Sequence, residues 1–407
     1  MSSIGPDASG PAGPQHAGDP AYPARVTAMP GNPTARPRLR TVLVYGVVVV
    51  GFLLSASALA QELEAGLGLQ VTVLAALFAA IPLLVVVPLF LWLDRYEAEP
   101  PRLLVFAFAW GAVCAAAGAL FLNTEFMLAL QQTGSPDPEA VASVVSAPIV
   151  EEGLKGLGVL LVVLLRRREF GGVVDGIVYG GIVGAGFAFS ENIFYLGRAY
   201  VEVGDQGLTQ VFILRCIMGP FAHPLFTACT GIGLGLAVAV MRSAWSRVAI
   251  ALIGYAAAAM LHAIWNLSAV TGHIVGVYLA FQVPLFLGFL GLVIALRVHE
   301  GRVVRRYLNQ YADAGWLSYE EVAMLSSLPY RRSARAWAKQ SRGAAGEQAM
   351  RAFQDTASDL ALLRARIVRG SAEAAAPQHE GVLLDALVAN RQAFLFGLPP
   401  GAPGGVA

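Results

Sequence analysis

Apolar residues gather into eight long runs along the chain, at 41–60, 69–93, 103–122, 141–165, 172–196, 211–241, 248–270 and 274–296. A helix needs about 20 apolar residues to cross a bilayer, and helix is the form such runs take where no water can satisfy the backbone. The pattern therefore predicts an all-α, polytopic membrane protein of about eight transmembrane helices over 41–296. The run at 41–60 has the length of a span and a long leader, so it reads as a retained helix rather than a secretory signal.

The flanks read differently. Residues 1–40 are rich in Pro, Gly, Ala and Ser without apolar periodicity, which predicts a disordered tail. Beyond 296 the chain turns soluble in character. Ser318-Tyr-Glu-Glu321 is a capping-box pattern ahead of Val322, Leu325 and Leu328, within a predicted helical region over 297–370. Alanine, proline and glycine then dominate 371–407, predicting a loosely ordered tail in which 382–398 is apolar enough to dock.

Composition supports the membrane reading. The 407 residues are 56% hydrophobic and 14% charged, with a mean hydropathy of +0.61, where soluble proteins carry about 25% charged residues. The net charge of +1 says little, because the basic residues are segregated. Arg36, Arg38 and Arg40 precede the first run; Arg95 and Arg102 follow the second; Arg166, Arg167 and Arg168 follow the fourth. Arg242 and Arg247 follow the sixth, and Arg297, Arg302, Arg305 and Arg306 the eighth, while the alternate loops are poor in Arg and Lys. Every second loop agrees, which predicts both termini on the cytoplasmic side of a cell membrane. Cys114, Cys216 and Cys229 lie in apolar runs and read as buried hydrophobes. The loop from Asp94 to Pro101 reads as a short cytoplasmic turn with Tyr96 as an interfacial anchor.

Ionisable residues inside the runs change the picture, since a charge at bilayer depth costs a few kcal/mol even on lenient scales. In the fourth run, Lys155 stands four residues from Glu151 and three from Glu152, so it can reach both carboxylates. The fifth carries Glu191 and Asn192, with Phe187 one turn earlier and Gly180, Gly181, Gly184 and Gly186 suited to close helix contact. Asp175, near the start of that run, reads as interfacial. The sixth brings Arg215, His223 between Pro220 and Pro224, and Thr227; the seventh brings His262, Trp265 and Asn266. Each alone can be a packing device. Counted from the outer ends at about 1.5 Å per residue, however, the glutamates of the pair lie roughly 15 Å deep, Glu191 roughly 8 Å, His223 roughly 18 Å and His262 roughly 13 Å. Four helices thus place proton-transfer groups in the outer half or near the middle of one bilayer. Carboxylate with imidazole is equipment for activating water, with His or Asn as oxyanion donor. Two histidines and a glutamate also suit a three-ligand zinc site, and His223, His262 and Glu191 are its candidates; no local spacing specifies a metal.

Glu151-Glu152-x-x-Lys155, Phe187-x-x-x-Glu191-Asn192, His223 and His262-x-x-Trp265-Asn266, with Asp94-Arg-Tyr-Glu-x-Glu-Pro100, resemble the bacterial PrsW family of intramembrane proteases. The resemblance covers about 91–266 and implies a multi-pass peptidase of the wider group that holds the CAAX prenyl endopeptidases and the bacterial immunity-type membrane proteases. It implies cleavage of a membrane-anchored anti-sigma factor on the extracytoplasmic side. It makes Glu151 and Glu152 the water-activating pair, and His223 and His262 catalytic or ligand residues with Glu191. Asn266 becomes an oxyanion donor or orienter, with Lys155, Asn192 and Arg215 in support. The CAAX-cleaving branch has an Arg one residue beyond the position of Lys155 and a His where Glu191 stands, which weakens a prenylated substrate and leaves the cofactor open between none and zinc. The expected partners are a membrane-anchored protein and lipid, with no nucleic acid. Depth favours Glu152 as the base. A membrane scaffold or chaperone of the same fold is the alternative, and a proton-coupled transporter is disfavoured because no repeated halves with paired broken helices are seen.

Overall fold

The computed structural model describes residues 39–397 except 94–95, 97–98, 166–169 and 371–374, with side chains from residue 46 on. The expected N-terminal tail up to residue 38, Arg95 and the run Arg166-Arg167-Arg168 lie outside the described residues. The described residues fall into two units, one within Arg36–Ile294 and one within Ala295–Ala407.

The first unit is a bundle of helices: α1 (Leu39–Gly66), α2 (Gly68–Ala80), α3 (Leu83–Leu93), α4 (Pro101–Gln132), α5 (Ala147–Leu165), α6 (Val173–Val203), α7 (Asp205–Ala239), α8 (Ala244–Val270) and the start of α9 (Ile274–Asp313). Among the described residues, six helices are long and apolar enough to cross a membrane, or seven if α2 and α3, bent by 41°, count as one broken span. The bend falls at Ile81 and Pro82, where proline offers no N–H and Leu84 turns back three residues to the Ile81 carbonyl at 3.1 Å. Helix α5 stands apart because Glu151, Glu152 and Lys155 fall within its 19 residues. These three side chains are buried in the protein interior, which is how a span carries charge.

The bundle is built inside out compared with a soluble domain. Leu53, Leu77, Leu84, Val105, Ile253 and Met260 are exposed, as lipid-facing residues are. Glycine and alanine line the interior. Without a hydrophobic drive between helices in lipid, close backbone packing through small residues holds such a bundle together. Helices α6 and α7 carry this furthest, meeting antiparallel in a four-residue register. A Cβ built on Gly235 would lie 2.5 Å from the Gly172 carbonyl, on Gly176 2.1 Å from that of Gly231, on Gly180 2.7 Å from that of Thr227, and on Gly184 2.6 Å from that of His223. On another face of α6, a Cβ on Gly186 would lie 2.1 Å from the Phe108 carbonyl of α4. The N-terminus of α6 is capped by Asp175, which accepts from the N–H groups of Gly171 and Gly172; it is buried rather than interfacial. Tyr179 of α6 donates to Glu99 at 2.6 Å, and Tyr96 and Glu99 are both buried, so the 94–101 segment is more than an interfacial turn.

The second unit contains α10 (Tyr319–Leu325), α11 (Leu328–Val368), broken at Gly343, and α12 (Ala376–Phe396). The capping box forms as the sequence predicts: Glu321 N–H donates to Ser318 Oγ at 3.1 Å, and Ser318 N–H to Glu321 Oε2 at 2.8 Å. Within the segment 371–407, expected to be loosely ordered, residues 376–396 form α12, whose Leu384, Leu387 and Phe394 share one face and are buried.

Gly231→Val forces a branched side chain against the Gly176 carbonyl and is expected to cost about 3 kcal/mol, whereas Gly288→Ala, which meets nothing within 4 Å, should change stability by under about 1 kcal/mol. Thermal unfolding of both variants in detergent checks this.

Candidate active site

Helices α5, α6, α7 and α8 bring the ionisable residues of four sequence segments into one buried cluster. Lys155 lies at its centre, fully enclosed. Its ammonium has three protons and three acceptors: Glu152 Oε1 at 2.8 Å, Glu151 Oε2 at 3.3 Å and His223 Nδ1 at 3.1 Å. The Phe187 ring covers it, with the centroid 3.7 Å away. An unpaired charge so enclosed would cost several kcal/mol, so pairing within the cluster is a condition of its existing.

These contacts fix the imidazoles. An ammonium is donor only, so His223 Nδ1 accepts, and the ring proton sits on Nε2, which faces Glu191 Oε2 at 2.7 Å. Glu152 is acceptor only, so His262 Nδ1 donates to its Oε1 at 3.1 Å. That leaves His262 Nε2 with its lone pair toward Glu151 Oε2, 3.9 Å away. Thr227, one turn beyond His223, donates to the second oxygen of Glu152 at 2.9 Å. The ladder that sets α7 against α6 passes through the backbones of both His223 and Thr227, so close helix packing places two of the cluster's side chains.

The two glutamates differ. Glu152 is fully enclosed and held by Lys155, Thr227 and His262. Glu151 keeps 6% exposure and weaker holds, from Lys155 and from Asn123 Nδ2, each at 3.3 Å. Asn123 in turn accepts from Ser146 at 2.8 Å. Glu191 does not reach out to an interface; Arg215 of α7 pairs with it and also donates from Nε to Asn192 Oδ1 at 2.8 Å.

Asn266 stands away from this network. Its amide donates to the Ser143 carbonyl at 2.8 Å. The reason lies in the π-helical turn Ala142–Ser146 that leads into α5: Ala147 N–H bonds to Ala142, and the next residue, Pro148, has no N–H to offer Ser143. Asn266 fills that gap, which braces the segment carrying Glu151 and Glu152.

Sequence reading did not reach Asn123 or Ser146. Asn123 sits inside α4, which continues to Gln132, where a loop was expected from 123. Its signal was a lone amide at the end of an apolar run. Thr227 was visible only as a polar residue one turn from His223.

Glu151, His223 and His262, all buried, offer ligand atoms within 4.8 Å of one another. Glu191 belongs instead on the far nitrogen of His223. Two imidazoles and a carboxylate at that spacing fit a three-ligand metal site, with Glu191 and Glu152 orienting the histidines from behind. Lys155 already occupies two of these acceptors, Glu151 Oε2 and His223 Nδ1.

Residues 99–289 match the family described as PrsW family intramembrane metalloprotease. Among known proteins, the chain is 31% identical over 155 residues to the protein named Protease PrsW of Clostridioides difficile (strain 630), covering 37% of this chain and 62% of that one. It is 34% identical over 145 residues to Protease PrsW of Geobacillus kaustophilus (strain HTA426), covering 35% and 58%. It is 29% identical over 144 residues to Protease PrsW of Bacillus subtilis (strain 168), covering 35% and 60%. The match therefore spans about three fifths of the length of these relatives. No solved structure matches. The whole cluster from Glu151 to His262 lies inside the segment that is similar to the PrsW family.

Proposed function

We propose that this chain is an intramembrane endopeptidase that hydrolyses a peptide bond of a membrane-anchored protein. The observation that carries the reading is the single buried network joining Glu151, Glu152, His223 and His262 from three helices, with Glu191 and Arg215 behind it. The names of the relatives, Protease PrsW, support the same reaction class.

Glu151 is the better base. It is the less enclosed carboxylate and the less tightly held, so a water can reach it. Glu151 takes a proton from that water as the oxygen attacks the peptide carbonyl carbon, and returns it to the amide nitrogen as the carbon–nitrogen bond breaks. Glu152, which accepts from Lys155, Thr227 and His262, orients His262 and shares the charge of Lys155. Lys155 offsets the two carboxylates, and His223 is held by Glu191 with a fixed tautomer. A second reading, favoured by the spacing of Glu151, His223 and His262, has these three residues hold a divalent metal. When bound, such a metal supplies a water that ionises near neutral pH.

The substrate is an anti-sigma-factor-like protein cut near the outer leaflet, with both termini of the enzyme cytoplasmic. The alternation of Arg-rich and Arg-poor loops supports that orientation.

Glu151→Gln and Glu152→Gln are each expected to lower cleavage of a single-span substrate by at least about 100-fold, with the larger loss at Glu151. Reconstituted protein and substrate in detergent measure this, and wild-type protein that cuts nothing would return the chain to the scaffold class. Zinc content of the purified chain, with activity before and after chelation, separates the two readings of the base. Full activity in metal-free protein excludes the second, and loss that added zinc restores excludes the first.

A further inference from the structure

Each of the three residues spaced to hold a divalent ion has a lone pair to give, and the contacts around the two histidines say where it lies. His223 Nε2–H faces Glu191 Oε2 at 2.7 Å, so the ring's one lone pair is on Nδ1. His262 Nδ1–H faces Glu152 Oε1 at 3.1 Å, which leaves its lone pair on Nε2, turned toward Glu151 Oε2. Zinc bonds histidine nitrogen at about 2.0–2.1 Å and carboxylate oxygen at about 2.0–2.2 Å, along those lone pairs. Lys155 stands in the way. Its ammonium takes the Nδ1 lone pair of His223 at 3.1 Å and reaches Glu151 Oε2 at 3.3 Å. A carboxylate oxygen can accept twice, but a neutral imidazole has a single lone pair, so His223 cannot serve the ammonium and an ion together.

The lysine also has no route out. It is fully enclosed, and the Phe187 ring lies 3.7 Å from its nitrogen, so the side chain cannot carry its charge to water. Its shortest contact, Glu152 Oε1 at 2.8 Å, is within the same cluster, so an ammonium that gave up His223 would still stand beside the ion. Ligation through His223 Nε2 instead would break the contact with Glu191. Charge points the same way. Glu151 and Glu152 bring two negative charges, and the ammonium with a divalent ion would set three positive ones against them in an enclosed site.

We propose that Lys155 excludes divalent metal from the Glu151, His223 and His262 set: its ammonium and an ion are alternative occupants of one position, and the chain's own cation is the resident one. The proposal concerns what occupies the site and does not depend on the reaction class.

Lys155→Met keeps most of the stem and removes the charge. Glu152→Gln combined with Lys155→Met removes one charge of each sign, which keeps the balance of the cluster and provides a second variant should the single one fail to fold. Zinc affinity of the full chain in detergent, measured by competition with a chromophoric chelator, is expected to rise by about 10- to 100-fold over wild type in both variants. Added zinc should accordingly raise the melting temperature of the variants more than that of the wild type. His223→Ala placed in the double variant should remove the gain. Equal zinc affinity in wild type and variants, or a gain that survives the loss of His223, overturns the proposal. Cleavage is scored separately: wild-type protein that cuts nothing removes the peptidase reading, while a rise in zinc affinity on loss of Lys155 still upholds the exclusion.

Discussion

The ammonium of Lys155 is the interaction on which the site depends. Two carboxylates on adjacent positions of one helix, and a third within reach on the next, cannot all be enclosed in an apolar bundle without a counter-charge. Lys155 answers two of them and Arg215 the third. The arrangement also dictates proton positions. Because the ammonium can only donate, His223 must present a lone pair to it, and the histidine's proton must then face Glu191. One cation therefore sets charge balance and the tautomer of a histidine on another helix.

Geometry reaches the site through backbone contact more than through side-chain packing. Helix α6 meets α7 at Gly176, Gly180 and Gly184, against Gly231, Thr227 and His223. Two of those partners are members of the cluster, so the fold's closest packing and its chemistry share residues. The ladder stops at Gly184 and His223, and Asn192 and Arg215 beyond it line a small pocket together with His223. The π-helical turns mark the same transition: one precedes Glu151 and is braced by Asn266, and another holds Arg215.

Much of this was legible in the sequence, for identifiable reasons. Apolar runs of span length announced the helices, and the three- and four-residue spacing of Glu151, Glu152 and Lys155 announced their pairing, because both are properties of a single helix. Depth counting brought His223, His262 and Glu191 to similar levels. It carried no information on which atoms meet: it favoured Glu152 for depth, and did not register that Glu152 accepts from three donors and Glu151 from two at longer distance. The spacing of His262 and Asn266 suggested a shared task, yet the Asn266 amide is drawn to a carbonyl that Pro148 leaves without a donor. That need arises from a local change in helical winding, which hydrophobic periodicity does not record. Asn123 was hidden by a boundary, since α4 runs on past the residue where a loop was expected.

The ladder between α6 and α7 also shapes what descent can change in this protein. When a side chain presses on another side chain, a second substitution can restore the fit by shrinking the partner. Here the partner at each rung is a main-chain carbonyl, which no substitution makes smaller. Growth at Gly176, Gly180 or Gly184 thus has no compensating mutation across the interface. The lipid-facing positions such as Leu77, Leu84 and Ile253 need only remain apolar. Lineages of this chain are free to rewrite the outside of the bundle while the line of contact that seats His223 and Thr227 stays closed to them.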